Sequence, residues 1–326
     1  MPLILSAAQV RELLDMREAI DACAQALAEL SAGEAVMPVR STTAVRPHAG
    51  AMLSMPAYLG RTDALGSKLV TVYPHNPRRG LPTILAVVLL HDPETGAVLA
   101  IMDGAELTAV RTAAASGAAT RYLATPGPKV LAVLGAGVQA RSHLWAMREV
   151  AQVTRCRIYS RTRARAEAFQ RDLAPRVGVP IDVVDSAEAA VRDADLVVLA
   201  TTAVEPIVRW EWFRPGCHIN AVGSHTPTAR ELDSETVARA RVVVDSREAV
   251  FAECGDVLIP LQEGRITRDH VADELGEVIE GTKPGRTHPD QVTLFKSVGV
   301  AVEDVATAAL VYRKARARGL GTMVDL

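Results

Sequence analysis

An α/β protein of two domains, one a doubly wound parallel sheet and the other a smaller α+β unit, is the expectation raised by three features of this chain. Its 326 residues exceed what a single core fills efficiently. After residue 129, short apolar β-runs alternate with helical patterns, the order that builds a parallel sheet with helices on both faces. Before residue 104, β-runs succeed one another with only Gly, Pro and Asp turns between them, which suggests a mostly antiparallel sheet.

Along the chain, Ser6 caps a first helix through Leu14, and Ile20, Ala24, Leu27 and Leu30 mark one face of a second, ended by Gly33. The β-rich stretches 39–45, 51–58, 64–73, 83–91 and 98–102 supply the first sheet. An alanine-rich helix over 104–123 leads to Pro126-Gly127-Pro128, the expected domain boundary. Beyond it come strands at 130–134, 156–160, 181–184, 196–201, 218–222 and 241–245, with helices at 138–150 and 163–173 and a shorter one after the third strand. Val302, Val305, Ala309 and Tyr312 have helical spacing, and this last helix is expected to return to the first domain. The expected division is therefore 1–125 with 297–326 for substrate and dimerisation, and 126–296 for a dinucleotide.

Bulk composition narrows the function. A hydrophobic share of 49% against 23% charged residues marks an ordinary globular chain, and a net charge of -2 gives no footprint for nucleic acid or an anionic membrane. No apolar run reaches about 18 residues, so no membrane span is expected, and the N-terminus lacks the basic start of a signal peptide. Cys23, Cys156, Cys217 and Cys254 form no C-x-x-C pair, which argues against disulfides and thiolate zinc and fits a reducing cytoplasm. No His, Asp, Glu or Cys group has metal-ligand spacing, so no metal is expected. Residues 281–287 lack the spacing of a phosphate loop and read as a solvated loop.

The strand at 130–134 empties into Gly135-Ala136-Gly137-Val138-Gln139-Ala140 and then a helix, the arrangement a dinucleotide pyrophosphate needs in a Rossmann-type sheet. Gly135 allows the tight turn, Gly137 lets backbone approach the phosphates, and Ala140 lets helix and strand pack closely. Where an acidic residue would hold the ribose of NAD, the chain reads Ser160-Arg161-Thr162-Arg163, with Arg165 following. Hydroxyls and guanidinium groups there favour the 2′-phosphate of NADPH over NADH. Thr201 and Thr202, after a later strand, either reach the ribose and phosphate or cap the next segment.

In the first half, Arg40, Lys68 and Arg111 stand in otherwise apolar surroundings beside turns or within the alanine-rich helix. Lys68 is the sharpest case, since a strand reading Lys68-Leu69-Val70-Thr71-Val72 leaves an ammonium that must snorkel, pair or meet a ligand. Together the three resemble a cationic pocket for a carboxylate.

These residues sit in motifs similar to those of the ornithine cyclodeaminase/μ-crystallin family: Gly66-Ser67-Lys68, Gly80-Leu81-Pro82-Thr83, Met102-Asp103-Gly104 running to Arg111-Thr112-Ala113-Ala114, the glycine turn at Gly135, and Phe295-Lys296-Ser297 running to Glu303-Asp304. The resemblance is collinear over nearly the whole chain. It implies a homodimer built on the first domain, with Arg40, Lys68 and Arg111 on the substrate carboxylate and Thr83 near them. It implies Thr112 and Ala113 near the cofactor phosphates, and Val222, Lys296 and Ser297 near the nicotinamide. Two departures are informative. His225 stands where cyclodeaminases and alanine dehydrogenases of the family carry a catalytic Asp, and Ser160-Arg161 replaces the acidic residue of the NAD-recycling cyclodeaminases. Both point to the NADPH-dependent reductases, acting on Δ1-pyrroline-2-carboxylate or its piperideine homologue to give L-proline or L-pipecolate. In that reading Lys68 polarises the site or exchanges a proton, its pKa lowered by neighbouring cations, and His225 relays a proton. An alanine-dehydrogenase-like activity, an ornithine cyclodeaminase lyase and a crystallin-type NADPH-dependent binding protein stay open as alternatives.

Overall fold

A computed structural model describes residues 1–325. Two compact units emerge: unit 1 takes Met1–Arg111 and Val300–Leu326, and unit 2 takes Thr112–Gly299.

Unit 1 opens with β1 (Leu3–Leu5), α1 (Ala7–Leu13) and α2 (Met16–Ser31). Ser6 and Gln9 form a capping box on α1, and the Asp15 side chain caps α2, so both helix starts are locally encoded. Then follow β2 (Ala35–Val36), β3 (Ser41–Val45), β4 (Gly50–Leu59), β5 (Ala64–Val72), β6 (Ile84–His91), β7 (Val98–Asp103) and α3 (Gly104–Leu123). The sheet order is β1-β7-β6-β5-β4-β2 with β3 also on β4, antiparallel throughout except where β1 lies parallel to β7. On one face, register sets Met55, Lys68, Val88 and Met102 in a single buried row.

The chain changes units within α3, between Arg111 and Thr112, and not at Pro126-Gly127-Pro128. The reason is visible in the second half of the helix, whose side chains bond into unit 2. Ser116 Oγ lies 2.9 Å from His143 Nε2, and Asn220 Nδ2 donates to Thr120 Oγ1 at 3.0 Å. A proline break ends the helix but does not decide which core it joins.

Unit 2 continues with β8 (Lys129–Leu134), α4 (Val138–Val150), β9 (Val153–Tyr159), α5 (Arg163–Val177), β10 (Ile181–Val183), α6 (Ala187–Val191) and β11 (Leu196–Leu199). Next come β12 (His218–Ala221), α7 (Ser234–Arg239), β13 (Arg241–Val244), α8 (Arg247–Glu253) and α9 (Gly255–Gln262). The unit closes with β14 (Asp273–Glu274), α10 (Leu275–Ile279) and β15 (Thr293–Lys296). All eight strands are parallel, ordered β10-β9-β8-β11-β12-β15-β13-β14. The winding direction reverses between β8 and β11, the point at which such sheets open a crevice for ligands. Sequence patterning misses β15, a run of four residues inserted between β12 and β13. Residues 281–287 do form a loop, yet it is not simply solvated. Arg286 donates to the carbonyls of Leu123 at 2.7 Å and Gly216 at 3.1 Å, and to Thr293 Oγ1 at 3.0 Å.

The chain returns to unit 1 through α11 (Ala301–Arg318) and β16 (Thr322–Met323). Helix α11 packs on α2 and on β4, β5 and β6, covering the face that holds Lys68, while β16 pairs with β1. Among the described residues, no helix is long and apolar enough to cross a membrane, no three potential metal ligands cluster, and the four cysteines are unbridged and buried.

Candidate active site

In unit 1, Lys68 is 2% exposed in its apolar row, so its ammonium must be compensated from above the sheet. Helix α11 supplies the counter-charge. Lys68 Nζ donates to Asp304 Oδ1 at 2.9 Å and lies 2.8 Å from Oδ2, the first contact being the aligned hydrogen bond. Arg111 donates from Nε to the same Asp304 Oδ1 and from Nη1 to Glu303 Oε2, both at 2.8 Å. Both carboxylates are fully buried.

Burial pushes the Lys68 pKa down, Arg111 and Arg40 push it further, and Asp304 opposes them, leaving it at about 8. The expected depression is therefore present, but burial outranks the neighbouring cations as its cause. Arg111 moves the other way, because Asp304 and Glu303 outweigh its burial. Arg40 is half-buried just before β3 and near enough to act electrostatically on Lys68, and half-buried Thr83 precedes β6 with its carbonyl accepting from Tyr73 N at 2.8 Å. Counting Arg40, Lys68 and Arg111 against Glu303 and Asp304 leaves one net positive charge, the complement of one carboxylate.

In unit 2, the glycine turn lies at the winding reversal. Gly135 has φ +108°, its N–H donates to Tyr159 O at 2.9 Å, and a Cβ there would collide with the Ala200 carbonyl. Gly137 is the N-cap of α4, and a Cβ there would meet nothing within 4 Å. Its missing side chain thus keeps open space at a helix N-terminus, which is what a pyrophosphate requires. Val138 beside it is 66% exposed, and Gln139 is half-buried. The residues present fit a dinucleotide.

After β9, Ser160 is half-buried while Arg161, Thr162 and Arg165 are exposed. Thr162 is the N-cap of α5 without a side-chain capping bond. Arg163 is occupied by Glu167 and Asp185, whereas Arg161 and Arg165 form no ion pair among the described residues.

Other expected contacts are placed differently. Thr201 Oγ1 donates to Glu231 Oε1 at 2.7 Å and accepts from Ala203 N at 3.2 Å, so its hydroxyl is used locally. Thr202 is exposed. Ala113 is wholly buried and Thr112 is 8% exposed. Lys296 is also enclosed, donating to Ser224 O at 2.9 Å and pairing with Asp256 at 2.9 Å. Ser297 donates to Asp245 Oδ2 at 2.8 Å. Both side chains are thus engaged within unit 2, and beyond β12 Val222 is half-buried and His225 exposed, with Nδ1 3.3 Å from the Gly223 carbonyl.

Sequence reading assigned no role to Glu303, Asp304, Glu231 or Asp256. Paired acids in the first turn of α11 read as an ordinary response to the helix dipole, and only their complete burial distinguishes them.

The profile of the ornithine cyclodeaminase/mu-crystallin family matches residues 1–319. The chain belongs to this family. Among members of known structure, the Thermococcus litoralis Delta(1)-pyrroline-2-carboxylate reductase in complex with NADH and L-proline is 46% identical, with a TM-score of 0.96 over 99% of this chain and 100% of that one. A ketimine reductase mu-crystallin of Mus musculus is 44% identical over 95% of this chain and 96% of its own length. A Delta(1)-pyrroline-2-carboxylate reductase of Bacillus cereus is 38% identical over 99% of both chains.

Proposed function

We propose that this chain is an NAD(P)H-dependent imine reductase that reduces the C=N bond of a cyclic ketimine carboxylate, Δ1-pyrroline-2-carboxylate or Δ1-piperideine-2-carboxylate, to the corresponding amino acid. The observation that carries the reading is the cluster of unit 1, in which buried Lys68 and Arg111 are balanced by buried Asp304 and Glu303 and half-buried Arg40 adds one positive charge beside them. A partly desolvated excess cation beside buried, oriented ones favours a small anion and suits an apolar ring next to it. The L-proline in the Thermococcus structure is what hydride and proton addition to the pyrroline acid produces, which supports the ring chemistry.

A bound NADPH would supply the hydride. Gly135, Gly137 and the start of α4 would hold its pyrophosphate, with Val138 and Gln139 beside them, and Ser160, Arg161, Thr162 and Arg165 its 2′-phosphate. The two unpaired guanidinium groups favour NADPH over NADH. Arg40 and Arg111 would orient the substrate carboxylate, with Thr83 at its edge. Lys68 would carry the proton: at neutral pH its ammonium is charged, and a pKa of about 8 lets it release that proton to the nitrogen as the C=N bond is reduced. His225 would return a proton from solvent, an exposed position suited to exchange.

A homodimer belongs to the same reading. The face of the unit 1 sheet opposite Lys68 carries Leu65, Leu69, Val87, Leu89 and Ile101, all half-buried, where a solvated antiparallel sheet would place polar residues. The four buried free thiols suit a cytoplasmic setting.

The test is a screen of five- and six-membered cyclic ketimine acids, following loss of reduced-nicotinamide absorbance with each cofactor. We expect turnover of these acids, faster with NADPH. Faster turnover of pyruvate with ammonia, or ammonia released from ornithine with catalytic NAD, would overturn the reading, and a clear NADH preference would overturn the role of Arg161 and Arg165.

A further inference from the structure

Glu231 lies outside every element of the sheet, yet it is fully buried where two central strands end. Its Oε1 accepts from Thr201 N at 2.8 Å and from Thr201 Oγ1 at 2.7 Å, and its Oε2 accepts from Gly223 N at 2.8 Å. The carboxylate therefore bridges the chain leaving β11 and the chain leaving β12. Asp256 fixes it in place, with Oδ1 accepting from the backbone N–H groups of Glu231 at 2.8 Å and Leu232 at 2.9 Å. Asp256 is in turn paired with Lys296, the buried end of β15. A Cβ on Gly223 would run into Glu231 Oε1 and the Thr201 carbonyl, so that glycine leaves the carboxylate its space. On the other side, the Ala200 carbonyl is what a Cβ on Gly135 would strike. One contiguous stack thus runs from Asp256 through Glu231 and Thr201 to the glycine turn.

We infer that Glu231 is a positioning residue for nucleotide binding: by clamping the ends of β11 and β12 together it fixes the backbone against which the Gly135 turn rests. This builds on the reading that unit 2 holds a nicotinamide nucleotide. Burial pushes the Glu231 pKa up to about 7 while Lys296 holds it down, consistent with a carboxyl retained at an electrostatic cost. A glutamine in its place has one acceptor oxygen and cannot serve Thr201 and Gly223 at once.

The experiment measures NADPH affinity by calorimetry, without turnover, on the wild-type protein, E231Q, T201V and the double variant, with circular dichroism as the check on folding. E231Q is expected to weaken NADPH binding about tenfold, and T201V, which removes the hydroxyl's bond to Glu231 together with its longer one from Ala203 N, about fivefold. Because the two share the Thr201–Glu231 contact, the double variant should lose clearly less than the sum of the single losses. In steady state the KM for NADPH should rise in E231Q, with kcat at saturating NADPH and the KM for the imine acid unchanged. A folded E231Q that binds NADPH as the wild type does, or effects that simply add, would overturn the inference. If E231Q does not fold, T201V decides, and wild-type affinity there overturns it. Absence of nucleotide binding by the wild-type protein would overturn the cofactor reading itself and the inference with it.

Discussion

Lys68 shares its row with Met55, Val88 and Met102, and no strand neighbour can meet its charge. Its one carboxylate partner comes from α11, so the ammonium is retained but weakened, with a pKa of about 8. The sign of the pH effect follows. The charged form binds an anion and persists below that value, and raising the pH through it removes the attraction. Affinity for pyrrole-2-carboxylate, an inert planar mimic, should therefore be constant below about pH 7 and fall above about pH 8. Lys68→Met should bind the mimic more weakly by about tenfold or more and lose this pH dependence. Calorimetry across the pH range checks both, and a wild-type affinity that stays flat through pH 8 would remove Lys68 from the anion site.

The turn between β8 and α4 uses two glycines for different physical reasons, and they can be separated. Gly135 needs its positive φ and its lack of Cβ for the fold, since Ala200 already fills that space. Gly137 has ordinary φ and open surroundings, so its role concerns what binds there. Gly137→Ala should leave the melting temperature unchanged while weakening NADPH binding about tenfold or more. Gly135→Ala should lower stability by about 1–3 kcal/mol, read from urea unfolding. Equal loss of stability in both would refute the distinction. The same turn was legible in the sequence because strand, turn and helix are adjacent along the chain. So were α1, α2, α3 and α4, whose caps and periodicity are local signals. Asp304 was not, because it meets Lys68 across 236 positions, and no local pattern marks which of two adjacent acids is buried. Thr201 is the opposite case: its hydroxyl was legible as a capping or binding group, and only the arrival of Glu231 shows that it is already engaged. The division within α3 was hidden for a similar reason, since Ser116 and Thr120 find His143 and Asn220 only in the folded unit.

For the molecule as a whole, the apolar face of the unit 1 sheet predicts self-association. Sedimentation equilibrium should give a dimer, and Leu69→Asp with Val87→Asp, cross-strand neighbours on that face, should shift it to monomer. A wild-type monomer at micromolar concentration would refute this. Unit 2 is one unbroken length of chain, whereas unit 1 is assembled from both ends, with β16 joining β1 and α11 closing over the sheet. During synthesis the nucleotide-binding unit is thus complete before the ribosome has made the helix that neutralises Lys68 and Arg111. Until α11 docks, Lys68 and Arg111 lack the carboxylates that neutralise them, so unit 1 is completed after unit 2.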